Sequence, residues 1–403
     1  MRDRIIKAID YYIDKKEIGG ASVLVYKDGM ELLSLQRGIA DRKNNIPLSD
    51  DTIIRLYSMS KPITSAAVMI LIERGILDRC DPVSDYIPSF KKQYYYDSSG
   101  KKHPVSREMT LGDLLDMSGG LSYPDESTPA GKEAAELFRD ICSRLGSKDE
   151  MSTLKVAERI GELTLAFDPG SDYLYSTSAD ILGAVIEKAV GMKFSDFLSE
   201  EIFRPLKMND TGFFVPAEKQ SRLARSYVPE SHLKAGPSGN EIPISDDGSN
   251  EYLGNYLGIR NRMEAPPAFE SGGAGLASTL SDYMKFAQML LRGGKTPEEQ
   301  RILSPATINF MTDRKRPAHI NDRFHERFGI YGFTYSNLLR ICIDPGENDT
   351  IRFKGEYGWD GWLGPFFANI PSKNATILIG IQMTDFGTSS ITHRIINIIS
   401  SDL

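Results

Sequence analysis

Two serines and a lysine precede an apolar helical pattern in the stretch YSMSKPITSAAVMILIERG, which runs from Tyr57 to Gly75. On a helix, Ser58 and Lys61 lie one turn apart on one face, within reach of a hydrogen bond. A serine hydroxyl needs such a base to act as a nucleophile, and at a helix N-terminus its own N–H is free to stabilise an oxyanion. Taken alone, however, the tetrad favours an ordinary capping serine, because S-x-x-K also arises by chance.

Two other stretches have residues that could act on a substrate. Tyr175 lies in FDPGSDYLYSTSADILGAVIE, where a Pro-Gly turn leads into a short extended piece and then a helix. A lone tyrosine in that position is usually a packing residue. In GEYGWDGWLGPFFANIP, glycines alternate with two tryptophans, which indicates either a strand that another backbone approaches closely or an aromatic turn in the core. Neither stretch decides the chemistry by itself.

Helices and strands that could position these residues are predicted at both ends of the chain. Residues 3–15 have helical apolar spacing, and a hairpin with its turn at Asp28-Gly29 follows. The segment 58–74 is predicted as a helix that ends before Gly75. After residue 330, four short apolar runs, GIYGFTYS, LLRICI, GPFFANIP and ATILIGIQM, are separated by turn residues and precede the helical SSITHRIINIIS. We expect the N-terminal and C-terminal strands to share one sheet.

The middle of the chain, between about 80 and 260, has helical patterns and no convincing series of strands. It is predicted to be a helical insertion. Two stretches in it resist assignment: KKQYYYDSSGKKHPVSRE and the loop 229–272, which is rich in Gly, Ser, Pro and Asn. Loops of that length are usually lids, specificity loops or disordered segments.

Composition excludes several classes of function. The chain has 403 residues and a net charge of -7, with scattered Lys and Arg, so nucleic acid and anionic membrane surfaces are unexpected partners. Its three cysteines are far apart, and its five histidines show no metal-binding spacing, so no metal and no cofactor are expected. The charged N-terminus lacks the apolar core of a signal peptide, which predicts a cytoplasmic protein.

The motifs taken together resemble the penicillin-recognising serine hydrolases, a superfamily of class C β-lactamases, DD-peptidases and related esterases. The resemblance covers nearly the whole chain. It rests on the Ser-Met-Ser-Lys tetrad from Ser58, on MTLGDLLDMSGGLS, and on the Tyr-Ser-Thr triplet from Tyr175 in place of Tyr-x-Asn. SGGAGLASTLSDYMKFAQMLLRGG and GWDGWLGPFFANIP are similar to the esterase branch, in which the latter corresponds to a Trp-Gly-Gly strand.

The resemblance implies an α+β fold, an antiparallel sheet flanked by helices, with an inserted all-helical domain. Residues 1–80 and 260–403 would form the α/β domain and residues 81–259 the mainly helical one, with the site between them. No G-x-S-x-G elbow competes for the nucleophile.

By position, the resemblance makes Ser58 the acylated nucleophile, Lys61 its base and Tyr175 a proton relay. The backbone N–H groups of Ser58 and Trp362 would form the oxyanion hole. The expected mechanism is therefore hydrolysis through an acyl-enzyme, without a histidine or an acid.

Four further residues are expected to contact substrate. Thr177 replaces the usual Asn and loses its amide, and Trp359, Asp360 and Gly361 replace the Lys-Thr-Gly strand of β-lactamases. The cation that would bind a β-lactam carboxylate is therefore missing from this strand, and Asp360 adds a negative charge.

We therefore expect a carboxylesterase for small neutral esters with weak or no β-lactamase activity. The alternatives are an amidase or D-amino-acid peptidase, an acyltransferase of the same fold, or a catalytically weak binding or sensing homologue. The partner would be a small-molecule ester or amide.

Overall fold

The computed structural model describes residues 1–233, 243–314 and 316–403. Its strands are β1 Gly20–Lys27, β2 Met30–Asp41, β3 Ile46–Pro47, β4 Ile53–Arg55, β5 Tyr94–Tyr96, β6 Lys102–Pro104, β7 Ala277–Thr279, β8 Phe333–Ser336, β9 Leu339–Cys342, β10 Tyr357–Asp360, β11 Phe366–Ile370 and β12 Ala375–Gly380. Its α-helices are α1 Arg2–Asp14, α2 Ser60–Glu73, α3 Leu111–Leu115, α4 Pro129–Arg144, α5 Thr153–Gly161, α6 Ser178–Val190, α7 Phe194–Leu198, α8 Leu280–Leu291, α9 Pro305–Thr312, α10 Ala318–Phe328 and α11 Ser390–Ser400.

The main sheet joins the two ends of the chain. It has eight antiparallel strands in the order β3-β2-β1-β12-β11-β10-β9-β8. β1 pairs with β12 so that Val23 lies opposite Ile379, which confirms that N-terminal and C-terminal strands share one sheet. The predicted turn between β1 and β2 is also present, with Asp28 and Gly29 both at positive φ. The predicted α+β class is confirmed.

Both faces of this sheet are buried, because β12 alternates its side chains between two cores. Ile377 and Ile379 pack in a core formed with α1 and α11, and Leu378 packs in the core that includes α2 and α8. The strand therefore has no polar face, which explains why its sequence is a continuous apolar run. The second of these cores continues into helices α3 to α7.

The middle of the chain differs from the sequence prediction in one respect. Within KKQYYYDSSGKKHPVSRE, β5 and β6 form a two-stranded hairpin, with Tyr95 opposite His103. Its residues are exposed or half-buried, and Tyr94 is 52% exposed, so no alternation of buried residues indicated a strand. This stretch, which the sequence left unassigned, is therefore where the described middle of the chain has its two named strands. The division into domains 1–80 with 260–403 and 81–259 stays a prediction.

The packing of α11 against the sheet should contribute strongly to stability. Ile395 is fully buried in the core between α11 and the sheet, so Ile395→Ala should lower the free energy of unfolding by about 2–5 kcal/mol, as lost burial and a cavity add. Leu32 on β2 is 46% exposed, and Leu32→Ala should cost less than about 0.5 kcal/mol. Urea unfolding of both variants tests this, and equal losses would contradict the assignment of α11 to the core.

Candidate active site

Ser58 lies on a sharp turn between β4 and α2. Tyr57 has φ +44, in the left-handed region that a non-glycine residue rarely adopts, and Met59 N–H bonds back to the Leu56 carbonyl. Tyr57 is buried, with its ring 5.0 Å from that of Trp362, and this packing can hold the strained backbone. The α-helix begins at Ser60, so the expected helix start at Ser58 is corrected to a 3₁₀ turn, Tyr57–Met59.

Two buried side chains, Gln382 and Arg55, form hydrogen bonds that fix the backbone before this turn, and the sequence analysis did not identify either of them. The Gln382 amide accepts from Arg55 N–H at 3.0 Å and donates to the Arg55 carbonyl at 3.1 Å. The buried Arg55 guanidinium donates to the carbonyls of Asn261, at 2.6 Å, and Ala224, at 2.7 Å. The one signal in the sequence was an arginine inside the apolar run DTIIRLY.

Lys61 is fully buried and contacts three oxygen atoms. Its Nζ lies 3.1 Å from Ser58 Oγ, 3.1 Å from Tyr123 Oη and 2.9 Å from the Gly273 carbonyl. Burial lowers the pKa of Lys61 to about 7, against an opposite effect of nearby Asp180 and Asp360. A large fraction of the amine is thus neutral near neutral pH. In that form it can accept a hydrogen bond from the Ser58 hydroxyl.

A buried carboxylate fixes the carbonyl that Lys61 contacts. Asp180 Oδ1 accepts from Gly273 N–H at 3.0 Å and from Ser271 Oγ at 2.5 Å, and burial raises the pKa of Asp180. Gly272 is required next to it, because a Cβ there would lie 2.3 Å from the Ala179 carbonyl. The SGGAGLAS segment therefore serves as a support for Lys61.

Tyr175 lies against the same amine but does not form its hydrogen bond. Lys61 Nζ is 4.6 Å from the centre of the Tyr175 ring, and Tyr175 Oη accepts from Trp359 Nε1 at 2.8 Å. Burial raises the pKa of Tyr175, while hydrogen bonding by Ser58 and Trp359 lowers it. The tyrosine whose hydroxyl contacts Lys61 is Tyr123, which sequence reasoning missed, because the motif before it ends at LS and nothing local marks the residue.

The two residues whose backbone N–H groups are expected to form the oxyanion hole line one cavity. Ser58 and Trp362 both line it, and no hydrogen bond from either backbone N–H to another described residue is found. Gly361 lets the end of β10 approach the Ser58 turn, since a Cβ there would lie 2.2 Å from the Leu56 carbonyl. This close approach is what the glycine-rich sequence of the strand permits.

The remaining expected substrate contacts divide into two groups. Trp359 and Asp360 line the cavity, and the Asp360 carboxylate accepts a hydrogen bond from Thr388. Thr177 does not line it. Its side chain is buried, and its Oγ1 has no hydrogen-bond partner in the part of the chain that the structure describes. Lys61 does not line this cavity either, so a contact of Thr177 with substrate stays a prediction.

The cavity has a volume of about 330 Å³ and extends from Ser58 to the other side of β10. That is at the lower end of the range for small-molecule sites. Its far part is lined by Arg340, Arg352 and His393, which the sequence had not indicated. Within loop 229–272, Tyr256 stacks on Trp362 at 4.4 Å, while residues 234–242 lie outside the described residues.

Comparison with known proteins identifies the family and the fold. The family model described as Beta-lactamase matches residues 5–389. The chain belongs to this family. Esterase EstB of Burkholderia gladioli is 28% identical over 374 residues, which cover 90% of this chain and 85% of EstB.

Two solved structures share the fold. EstCE1, a hydrolase with promiscuous acyltransferase activity, has a TM-score of 0.77 at 22% identity, covering 99% of this chain and 98% of its own. The D-amino acid amidase of Ochrobactrum anthropi SV3 has a TM-score of 0.67 at 19% identity, covering 100% and 98%.

The predicted resemblance and fold are thus confirmed, and the chain is a serine hydrolase of this family. Its residues outside 234–242 and 315 form no helix long and apolar enough to cross a membrane.

The lowered pKa of Lys61 predicts a pH profile. Because only the neutral amine can take a proton from Ser58, kcat/KM for a simple ester should rise about tenfold per pH unit below pH 7 and level off above it. Lys61→Arg should remove most activity at every pH, since a guanidinium stays protonated. Rates measured by pH-stat test both statements, and a wild-type profile that is flat from pH 5 to 8 would contradict the role of Lys61.

Proposed function

We propose that this protein is a carboxylesterase that acts through an acyl-enzyme on Ser58. The observation that carries the proposal is the contact of Ser58 Oγ with the buried amine of Lys61, 3.1 Å away, at one end of an open cavity. A serine beside a neutral amine can lose its proton as it attacks a carbonyl carbon. The similarity to esterase EstB supports an ester as the substrate.

In the first half-reaction, Ser58 Oγ bonds to the ester carbonyl carbon while its proton passes to Lys61 Nζ. The carbonyl oxygen becomes an oxyanion, which the backbone N–H groups of Ser58 and Trp362 can stabilise. Their strained, closely packed backbone fixes these donors before substrate arrives. Tyr57 directly precedes Ser58, and Gly361 directly precedes Trp362. Each therefore shapes the backbone that holds one of the two donors.

Tyr175 supplies a proton to the leaving alkoxide as the tetrahedral intermediate collapses. Its raised pKa keeps the phenol protonated, and the bond from Trp359 Nε1 occupies an oxygen lone pair, so the O–H remains available. The proton held by Lys61 must then return to the Tyr175 oxygen, and because the amine lies against the Tyr175 ring without bonding its hydroxyl, a small movement of Lys61 or a bridging water has to complete this path. In deacylation water replaces the alcohol, and the same groups act in reverse.

The strand beside Ser58 favours esters that are neutral around the scissile bond. Trp359 and Asp360 occupy the place of a lysine and a threonine, so an anion close to the scissile group would meet an indole and a carboxylate. The lowered pKa of Lys61 and its contact with Ser58 Oγ argue against a binding or sensing homologue, because such a protein does not need a base beside the serine. If an alcohol enters instead of water, the same acyl-enzyme makes an acyltransferase, the activity that the description of EstCE1 includes.

Labelling by an active-site probe tests the nucleophile. Ser58→Ala should abolish both labelling by a fluorophosphonate and hydrolysis of p-nitrophenyl butyrate, because no acyl-enzyme can form. Ser60→Ala is the matched control, since the buried Ser60 Oγ accepts from Leu276 N–H at 3.2 Å and has a structural contact only. It should keep most activity and lose about 1 kcal/mol of stability.

Intact-mass spectrometry with peptide mapping reads out the label. Absence of a label on folded wild-type protein would defeat the proposal of an enzyme. A label on Ser60 would instead move the nucleophile.

Asp360 provides a test of selectivity. Kcat/KM for a chromogenic cephalosporin should be at least about 100-fold below that for p-nitrophenyl butyrate, because the β-lactam carboxylate loses a charge-assisted bond of about 1.5–3 kcal/mol and meets Asp360. Asp360→Asn keeps a partner for Thr388 and should raise cephalosporin hydrolysis while changing butyrate hydrolysis little. Efficient cephalosporin turnover by wild-type protein would refute this selectivity.

A further inference from the structure

The far part of the cavity contains a buried cation whose bonding is incomplete. Arg340, on β9, is 1% exposed, and its Nη1 donates only a long bond of 3.4 Å, to Thr388 Oγ1. Its Nη2 has no partner, and the guanidinium forms no ion pair with any carboxylate of residues 1–233, 243–314 and 316–403. Burying a charged group without acceptors is costly, so its retention needs an explanation.

The other buried arginines are bonded differently. Arg55 donates to two backbone carbonyls, and Arg352 donates to Glu356 at 2.8 Å and to Thr350 at 2.7 Å. These two buried guanidinium groups therefore each donate two hydrogen bonds of 2.8 Å or less. Arg340 is the exception at the cavity.

Aromatic rings orient the guanidinium of Arg340. Its Cζ lies 4.5 Å from the centre of Phe366 and 5.7 Å from that of Phe333, so the rings cover its apolar surface. Arg352 lies 5.6 Å from each of the same two rings. Since the N–H bonds of a guanidinium lie in its plane, this packing leaves the N–H edge for a polar ligand.

The acids near the cavity do not neutralise this edge directly. Asp360 reaches Arg340 only through the Thr388 hydroxyl, which bonds both side chains. Glu347 and Asp349 also line the cavity, but both are exposed, so water screens their charges more than it screens those of the buried arginines. Glu356 is already paired with Arg352.

We propose that this end of the cavity is an anion subsite, in which Arg340, supported by Arg352, binds a carboxylate carried by the substrate. The proposal rests on the proposed esterase function and narrows its substrates to esters with a carboxylate away from the scissile bond. Arg340 lies opposite Gly358, one strand further along the sheet than Asp360, so it suits a longer substrate than a β-lactam. A carboxylate matches the two-pronged edge of a guanidinium.

Two pairs of esters test the subsite on both sides of the scissile bond. p-Nitrophenyl hydrogen adipate is compared with p-nitrophenyl hexanoate, and 4-carboxyphenyl acetate with 4-carbamoylphenyl acetate. In at least one pair, Arg340→Met should lower kcat/KM for the carboxylate ester by about 10- to 100-fold and leave the neutral ester within about threefold. Arg340→Lys should retain part of the preference, and Arg37→Met, at an exposed arginine on β2, should change nothing.

Competition on wild-type protein keeps the test valid if Arg340→Met does not fold. The inhibition constant of adipate against hydrolysis of the neutral esters should be at least about tenfold lower than that of adipamide. Added NaCl should weaken the inhibition by adipate. Equal inhibition by adipate and adipamide, or unchanged preferences in both ester pairs on folded Arg340→Met, would overturn the proposal. Acetate and inorganic phosphate could instead inhibit the wild-type protein but not Arg340→Met, while no carboxylate ester has a higher kcat/KM than its neutral partner. The site would then bind free anions, and the assignment to a substrate carboxylate would be wrong.

Failure of the esterase function gives a different result. Wild-type protein would then hydrolyse neither neutral ester, and the subsite would be judged by calorimetric titration with adipate. Heat of binding that disappears in Arg340→Met would support the subsite without the reaction, and no heat with wild-type protein would reject it.

Discussion

The candidate site depends on keeping the amine of Lys61 out of water. In solvent this side chain would be almost wholly protonated at neutral pH and could not accept a proton from serine. Full burial lowers its pKa to about 7, and the cost of that burial is offset by three oxygen contacts from three parts of the chain. Ser58 comes from the turn before α2, Tyr123 from the segment before α4, and Gly273 from the segment before β7. The fold must bring these segments together before the amine can be both buried and reactive.

The sequence predicted those parts of the site that depend on local geometry. The pairing of Ser58 with Lys61 was predictable from their spacing of one helical turn, although their roles in catalysis came from the family resemblance. Tyr175 and Trp362 required the family resemblance, since they are more than a hundred residues away from Ser58 in the chain. Tyr123 and Asp180 were not found at all, because a residue that supports a catalytic group through a contact distant in sequence leaves no periodic pattern. The strand pairing of the chain ends was predictable, because apolar runs that are buried on both faces are unmistakable, whereas the exposed hairpin β5–β6 was not.

Substitutions relative to the family motif have unequal consequences in three dimensions. Thr177 is buried and is not among the residues that line the cavity, and its expected contact with substrate stays a prediction. Asp360 does line the cavity and is tied to Thr388 and, through it, to Arg340. The loss of lysine from this strand is thus accompanied by cations on the next strand and the loop that follows it. The sequence of the strand alone could not show these cations, because they belong to a neighbouring strand and a loop that line the same cavity.

Three energetically costly features of this structure lie at or beside the candidate site. The left-handed backbone of Tyr57, the desolvated amine of Lys61 and Nη2 of Arg340, which has no partner in the part of the chain that the structure describes, each oppose folding. They persist because the doubly buried sheet and its helices supply enough apolar contact to hold them in place. A ligand that gave Arg340 an acceptor and placed a carbonyl at the Ser58 and Trp362 N–H groups would relieve the last of these costs and would bond those two N–H groups as well. Binding energy from the distant carboxylate could then be used to hold the ester against the nucleophile, which connects the polar far end of the cavity to the rate of reaction at its near end.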